Sequence, residues 1–263
     1  MHTLRRLATL AALLALAAHA GITVTTEMKR KDKTSRMVMQ LEGKSLRGEM
    51  LSMKDGAAVP EGAFIHDGQG RRMIIINYQE KKYHEISEEQ MKQWRSKMEA
   101  ARAQMKAQLD KMPPERRAQM EAMMERQMKT TSPVMPDEKF VRASGSKKIA
   151  GYSCDLYTVE SNGEHIADTC LIPWADLKLD REQIKQNLES LKEMWGVGGA
   201  DKTPSPVASW TTAPGVPAWR KTVKPLEEGG HETTLISISQ GAVPKEAFAP
   251  PAGMVKSQPR GME

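Results

Sequence analysis

Residues 36–52, RMVMQLEGKSLRGEMLS, carry the pattern that decides the fold. Apolar and polar residues alternate on both sides of Gly43, which is typical of two antiparallel strands joined by a tight turn. The same pattern continues outward over residues 21–86. We predict strands at Ile22–Lys29, Arg36–Glu42, Ser45–Ser52, Ala63–Asp67, Met73–Gln79 and Lys82–Ile86. This part of the chain therefore predicts an antiparallel sheet.

The alternating pattern changes to a helical one at Ser87. Ser87 and Gln90 have the spacing of a capping box, and Ile86 with Met91 has the spacing of a hydrophobic staple around it. Two consecutive prolines interrupt the helical pattern once, because proline lacks the backbone N–H that a helix interior needs. We predict a helical insert of two helices over residues 87–129.

Strand patterns resume after the insert and are broken by one more helix. Strands on both sides of the helical segments predict one α+β domain over residues 21–254, with no second domain. The other predicted segments are strand Lys139–Ala143, helix 181–195, a proline-rich loop over 199–218, a hairpin of Arg220–Pro225 with Glu232–Gln240, and a tail over 255–263.

The two cysteines, Cys154 and Cys170, lie on a predicted hairpin of Tyr152–Glu160 and Glu164–Ile172. A three-residue loop, Ser161-Asn162-Gly163, suits a type I turn followed by a left-handed glycine. In that register Cys154 faces Cys170 directly, whereas a two-residue loop would place them on opposite faces. We predict a structural disulfide rather than a redox-active pair, because no C-x-x-C spacing is present.

Residues 1–20 have the order of a secretory signal peptide. Two arginines precede an apolar run from Leu7 to Ala18, and Ala18-His19-Ala20 supplies small residues around a cleavage site. We predict cleavage after Ala20 and a soluble periplasmic or secreted chain without a transmembrane segment, since a bilayer span needs about 20 apolar residues. A net charge of +6 spread over 263 residues is not the footprint of a nucleic-acid-binding protein.

Eight of the 19 methionines fall between residues 91 and 128, on the helical insert. Three interpretations remain open: packing of the helices on each other and on the sheet, a flexible lining or lid for an apolar ligand, and capture of a soft metal such as Cu(I) or Ag(I). The candidate ligand-lining residues share one face of the first helix and are Met91, Trp94, Met98, Met105 and Met112. The candidate metal ligands lie on the second helix and are Met120, Met123, Met124 and Met128.

Signatures of catalysis do not emerge from the sequence. The histidines of the exported chain, His66, His84, His165 and His231, are scattered without metal-ligand spacing. Neither a nucleophile elbow nor a phosphate-binding loop occurs. We therefore expect a protein that is not an enzyme and needs no cofactor.

Two motifs stand out: Ile149-Ala150-Gly151-Tyr152-Ser153-Cys154 after two lysines, and the Asp67-Gly68 turn followed by Ile74-Ile75-Ile76-Asn77 and Lys82-Tyr83. They resemble an uncharacterised secreted family, the domain-of-unknown-function family 4412. The closing segment, Val243-Pro244 to Gly253, is similar to the end of many periplasmic half-barrel proteins. The resemblance implies an incomplete antiparallel barrel with helices over its open face, similar to periplasmic lipoprotein carriers. Such carriers hold acyl chains between the sheet and a helical lid.

These observations predict a curved, incomplete antiparallel β-barrel with the Met-rich helical insert packed as a lid. We expect a non-enzymatic periplasmic protein that binds an apolar or amphipathic, lipid-like ligand. A copper or silver buffer, and a structural or partner-binding protein of the cell envelope, are the alternatives; the sequence names no protein partner.

Overall fold

The computed structural model describes nine segments of the chain. They are residues 21–31, 33–113, 116–117, 120, 138–161, 163–177, 179–195, 213–223 and 230–258; at 95, 98, 102, 188 and 190–195 the description covers the backbone alone. The predicted signal peptide therefore lies outside the described residues, as does most of the second predicted helix.

Twelve strands of the described segments form one sheet: eleven pair in antiparallel order, and the short β12 adds to one edge in parallel. In chain order the strands are β1 Ile22–Arg30, β2 Lys33–Glu42, β3 Ser45–Lys54, β4 Ala57–Asp67, β5 Arg72–Asn77, β6 Lys82–Ser87, β7 Lys139–Ile149, β8 Tyr152–Ser161, β9 Glu164–Pro173, β10 Gly215–Thr222, β11 His231–Gln240 and β12 Val255–Lys256. Two meanders, β1–β6 and β7–β11, are joined because β11 pairs with β1.

The sheet is curved and unclosed, as predicted for an incomplete barrel. Its strand order runs from β12 and β6 at one edge to β7 at the other, and these edges do not pair within the described residues. Two findings extend the sheet beyond the predicted segments. Gly215–Thr222 begins inside the predicted proline-rich loop, and Val255–Lys256 pairs in parallel with β6 although we expected a tail there.

The α-helices whose bounds the described segments define are α1 Glu88–Asp110, α2 Trp174–Leu177 and α3 Arg181–Trp195. Helix α1 begins with the predicted capping box, in which the Ser87 hydroxyl accepts from the Gln90 N–H at 3.1 Å. It ends at Asp110, and the Arg117 guanidinium donates to the Leu109 and Asp110 carbonyls at 3.0 and 2.7 Å. Such bonds satisfy carbonyls that a helix end leaves without an intrahelical partner.

Helix α3 is fixed to the sheet at two points. Its predicted cap is present, since the Gln183 N–H donates to the Asp180 carboxylate at 3.0 Å. Ile184 is 1% exposed and packs in the main core, and the buried Asn187 amide donates to the Gly43 carbonyl at 2.8 Å. The helix therefore sits over the turn that joins β2 to β3.

The disulfide between Cys154 and Cys170 is confirmed, but the predicted hairpin register is wrong. Ser161 pairs with Glu164, which leaves two residues between the strands, and a register shift follows between Val159 and Glu160. The shift returns both cysteines to one face of the sheet, where Cys170 lies opposite Leu156, the second residue after Cys154. The bond is therefore diagonal, with a Cα–Cα distance of 5.4 Å.

Candidate functional site

Three rows of side chains cross strands β1–β6 on one face of the sheet. Unbroken pairing places the members of each row directly opposite one another, and alternate residues of a strand share a face. The covered row is Ile22, Leu41, Leu46, His66, Met73 and Ile86. The middle row is Val24, Met39, Gly48, Phe64, Ile75 and His84. The open row is Thr26, Met37, Met50, Gly62, Asn77 and Lys82.

Helices bury the covered row completely. All six of its side chains are at most 5% exposed. Met73 and Ile86 pack against Met91 at the start of α1, and the β1–β3 members pack in the core that contains Ile184 of α3. This row is therefore structural core, and the helix-bearing face of the sheet begins to open beyond it.

Most side chains of the other two rows are less buried by the helices than those of the covered row. In the middle row Val24 is buried, Phe64 is half-buried and Ile75 is 36% exposed. In the open row Met37 and Met50 are half-buried. We call Met37, Met50, Phe64 and Ile75 the apolar strip. These neighbouring side chains reach across four strands and remain partly accessible.

A glycine shapes the middle of the apolar strip. Gly48 stands opposite Phe64, and a methyl group in its place would collide with the Phe64 ring. The ring therefore lies across β3 where other residues would hold it away from the sheet. The Phe64 ring thus fills the space that the glycine leaves beside Met50 on β3.

A polar pocket of about 230 Å³ adjoins the Ile75 end of the strip. Its lining residues are Asn77, Glu80, Lys82, His84, Ser257 and Gln258. His84 Nδ1 lies 3.0 Å from the Ser257 carbonyl oxygen, and the Lys82 ammonium lies 3.4 Å from Glu80. The pocket lies where β12 pairs with β6, because Ser257 directly follows β12. It adjoins the apolar strip because His84, one of its lining residues, stands opposite Ile75.

The opposite face of the same strands is closed by the C-terminal segment. Phe248 and Met254 pack on a cluster of Ala63, Ile65, Ile74 and Ile76. The buried Arg47 guanidinium donates to the Ala247 carbonyl at 2.8 Å and bonds to Tyr78 and Glu49. Burial is the main cause, and the hydrogen bond to Glu49 the second cause, of a pKa of Tyr78 that is raised to about 12. The Tyr78 hydroxyl is therefore a neutral structural group.

The predicted lining residues of α1 do not share one environment. Met91 is buried in the core and Trp94 is half-buried against it. Met105 is 42% exposed, Met112 is half-buried, and the Met98 side chain lies outside the description. Leu109, near the end of the helix, is buried again, whereas residues 99–101 and 103–108 are exposed. The described part of α1 is thus packed near both ends and accessible between them.

The predicted soft-metal site on the second helix falls mostly outside the described residues. Met120 is helical and 40% exposed. Met123, Met124 and Met128 are not described. Binding of Cu(I) or Ag(I) by these four methionines stays a prediction.

The apolar strip itself was missed at the level of sequence. Its signal was present, since Met37 and Met50 occupy alternating positions in the stretch that predicted the sheet. Alternation shows that such residues share a face but not whether a helix covers them. The concentration of methionine on the helical insert instead predicted a binding surface there.

Two histidines, the buried His66 and the half-buried His231, predict a loss of stability in mild acid. Burial lowers the pKa of His66 although the Asp67 carboxylate opposes the shift, and burial with the charges of Arg220 and Arg30 lowers the pKa of His231. The folded state therefore binds fewer protons than the unfolded state below about pH 6.5. We expect the free energy of unfolding to fall as the pH falls from about 7.5 to about 5.5.

Urea denaturation at the two pH values measures this effect. A His66→Gln variant should lose part of the pH dependence, whereas His165→Gln, at a position whose side chain is 43% exposed, should retain it. An unfolding free energy that is equal at both pH values would contradict the prediction.

Comparisons with known proteins find resemblance in fold at very low identity. An uncharacterised conserved protein from Thermus thermophilus is 5% identical, covering 97% of this chain and 99% of that one, with a TM-score of 0.42. MucB in the Pseudomonas aeruginosa MucA/MucB complex is 11% identical (90% of this chain, 58% of that chain, TM-score 0.34). A putative outer membrane lipoprotein-sorting protein domain from Vibrio parahaemolyticus is 8% identical (92% and 94%, TM-score 0.25).

These likenesses carry no argument about function, because their TM-scores lie below 0.5. The chain spans 58% of the length of the MucB chain it resembles. No known protein family and no curated protein matches the sequence. Within the described segments, no helix is both long and apolar enough to cross a membrane.

Proposed function

We propose that this protein binds a single-chain amphiphile, such as a fatty acid, on the helix-bearing face of its sheet. One observation carries the proposal: a strip of partly exposed apolar side chains adjoins a polar pocket on the same face of the sheet. The hydrocarbon chain lies along the apolar strip from Ile75 towards Met37. The polar head occupies the pocket beside Lys82 and His84. We propose binding without catalysis, in the periplasm, where the disulfide would be stable.

The dimensions and chemistry of the strip suit such a ligand. Strands lie about 4.8 Å apart, so the strip from β2 to β5 is about 14 Å long. Burial of apolar surface contributes roughly 25 cal/mol for each Å² removed from water. Methionine side chains adapt to irregular apolar ligands because they are unbranched and flexible. Met37 and Met50 therefore supply an adjustable wall, and Phe64 supplies a fixed one.

The pocket favours a head group that both donates and accepts hydrogen bonds. Lys82 can donate to an anionic or hydroxyl oxygen, and Asn77 can both donate and accept. Glu80 compensates the Lys82 charge in part. The length and apolarity of the strip, rather than the charge of the pocket, should therefore dominate affinity.

Membership of the domain-of-unknown-function family 4412 is part of this proposal. The motif Ile149-Ala150-Gly151-Tyr152 supports it, since these residues form a tight turn between β7 and β8. Ala150 and Gly151 have φ angles of 52° and 86°. Positive φ at both central residues is characteristic of a type I′ hairpin, which gives the Gly of the motif a structural reason.

A charge on the strip tests the proposed function. Ile75→Glu should weaken binding of a fluorescent fatty acid at least about tenfold, because burying an unpaired carboxylate against a hydrocarbon chain costs several kcal/mol. Ile236→Glu is the matched control, since Ile236 is 43% exposed on β11, five strands away. Both variants should unfold within a few degrees of the wild-type protein, because both positions are exposed.

Three results would reject the proposal: no saturable binding of any acyl probe by the wild-type protein, equal affinity of all three proteins, or equal loss in both variants. Native mass spectrometry of protein purified from the periplasm provides an independent measurement. A bound amphiphile is expected. A bare chain in that experiment, together with absent probe binding, would favour a structural or partner-binding role in the cell envelope.

A further inference from the structure

Three methionines meet on the helix-bearing face of β1–β3, beyond the helices. Met37 on β2 is at the centre, Met50 on β3 is directly opposite it, and Met28 on β1 is diagonal to it across Thr26. All three are half-buried. We call Met28, Met37 and Met50 the thioether trio.

Strand geometry allows the three sulfurs of the trio to converge. Directly opposite residues have Cβ atoms about 4.5–5.5 Å apart, and diagonal neighbours are about 7–8 Å apart and within reach of long side chains. Methionine has three rotatable bonds before its terminal methyl group. Gly62, which faces Met50 from β4, has no side chain to fill the space beside it.

Methionine replaces aliphatic residues on this face as the helix cover thins, beginning with the buried Met39 of the middle row. Under the helices the same strands carry Ile22, Leu41 and Leu46, which are aliphatic. Outside the cover they carry Met28, Met37 and Met50. Strand propensity does not explain the change, because it favours β-branched and aromatic residues. The property that methionine adds is a soft, polarizable sulfur.

We propose that the thioether trio binds a soft monovalent cation, Cu(I) or Ag(I), through its three sulfur atoms. Thioethers select soft ions over hard ones, which prefer carboxylate and carbonyl oxygen. The nearby Glu27 carboxylate lies on the other face, where it pairs with Arg36 at 3.3 Å. The trio therefore offers three thioether sulfurs on a face that the Glu27 carboxylate does not share, and it is separate from the methionines of the second predicted helix.

Substitution by leucine separates metal binding from amphiphile binding. Each Met→Leu change should cost under about 1.5 kcal/mol, because volume and hydrophobicity are nearly conserved. The full chain with Met28→Leu, Met37→Leu and Met50→Leu should bind Ag(I) at least about tenfold more weakly than the wild-type protein. Met105→Leu, at an exposed methionine of α1, is the control and should not change the affinity.

Site assignment comes from NMR of protein labelled with ¹³C at the methionine methyl groups. Ag(I) should shift the three methyl resonances that disappear in the corresponding single Leu variants. The proposal is overturned if the triple variant binds Ag(I) as tightly as the wild-type protein, or if only other methionine resonances shift. Because the trio shares Met37 and Met50 with the apolar strip, the fatty-acid probe serves as a second readout.

The two sites should respond in opposite ways. The single variant Met28→Leu, at the one trio position outside the apolar strip, should bind Ag(I) more weakly and keep the fatty-acid probe, whereas Ile75→Glu should lose the probe and keep Ag(I). Failure of metal binding alone leaves the proposed function intact, and failure of probe binding alone leaves the trio intact.

Discussion

Replacing Cys154 and Cys170 together by alanine is expected to lower the free energy of unfolding by about 3 kcal/mol. The bond joins residues separated by 16 positions, and removing it restores the conformational freedom of that loop in the unfolded chain. Both cysteines are at most 1% exposed and belong to the main core, so the variant also loses packing there. Urea denaturation of both proteins under oxidising conditions measures the difference.

A chemical control separates the bond from the packing of its atoms. Wild-type protein unfolded and refolded in the presence of a strong reductant should lose most of the same stability while it keeps both sulfur atoms. If oxidised wild-type protein and the double alanine variant unfold at the same urea concentration, the hairpin is held by its neighbours and the disulfide contributes nothing measurable.

Leu46→Ala should destabilise the protein by about 2–5 kcal/mol. Leu46 is 0% exposed in the middle of the covered row, where the sheet meets the helices. Truncation removes contacts and leaves a cavity. The surrounding residues cannot collapse fully into it, because β3 is held by its pairing with β2 and β4. Leu51→Ala is the matched control: Leu51 lies on the same strand with its side chain directed to the other face and is only partly buried. Thermal and urea unfolding measure both changes.

The two leucine variants together compare the covered row with a partly buried position on the opposite face of the same strand. We expect a clearly smaller loss for Leu51→Ala, because less apolar surface is buried there. Equal losses would show that the helix cover adds no more to packing on β3 than partial burial does.

Much of the architecture could be predicted from local patterns. Alternation located β1, β2, β3 and the disulfide hairpin, since side chains of a half-buried strand must alternate between two environments. The start of α1 was predicted from Ser87 and Gln90, because capping depends on residues a few positions apart. Such features need no knowledge of the rest of the chain.

Other features depended on distant parts of the chain and could not be predicted in this way. The hairpin register was wrong because a two-residue loop and a register shift together preserve the facing of Cys154 and Cys170. The strand at Gly215–Thr222 was partly missed because proline-rich sequence indicates a loop, whereas β9 supplies it with a pairing edge. Val255–Lys256 has no strand pattern in its sequence. It becomes a strand because it pairs with the exposed edge of β6.

The sequence by itself determined an antiparallel sheet with a helical insert, a pair of cysteines able to bond, and an excess of methionine. These properties follow from residue type and spacing along the chain, which act over a few residues. The tertiary structure alone decided which methionines are core and which form a surface. Met91 became core because it lies against Met73 and Ile86, while Met37 and Met50 stayed partly open because α1 and α3 pack on the covered row, beyond the middle row. Whether a helix covers a strand residue depends on where α1 and α3, 40 residues or more along the chain, pack on the sheet. The spacing of residues within one strand does not contain that information.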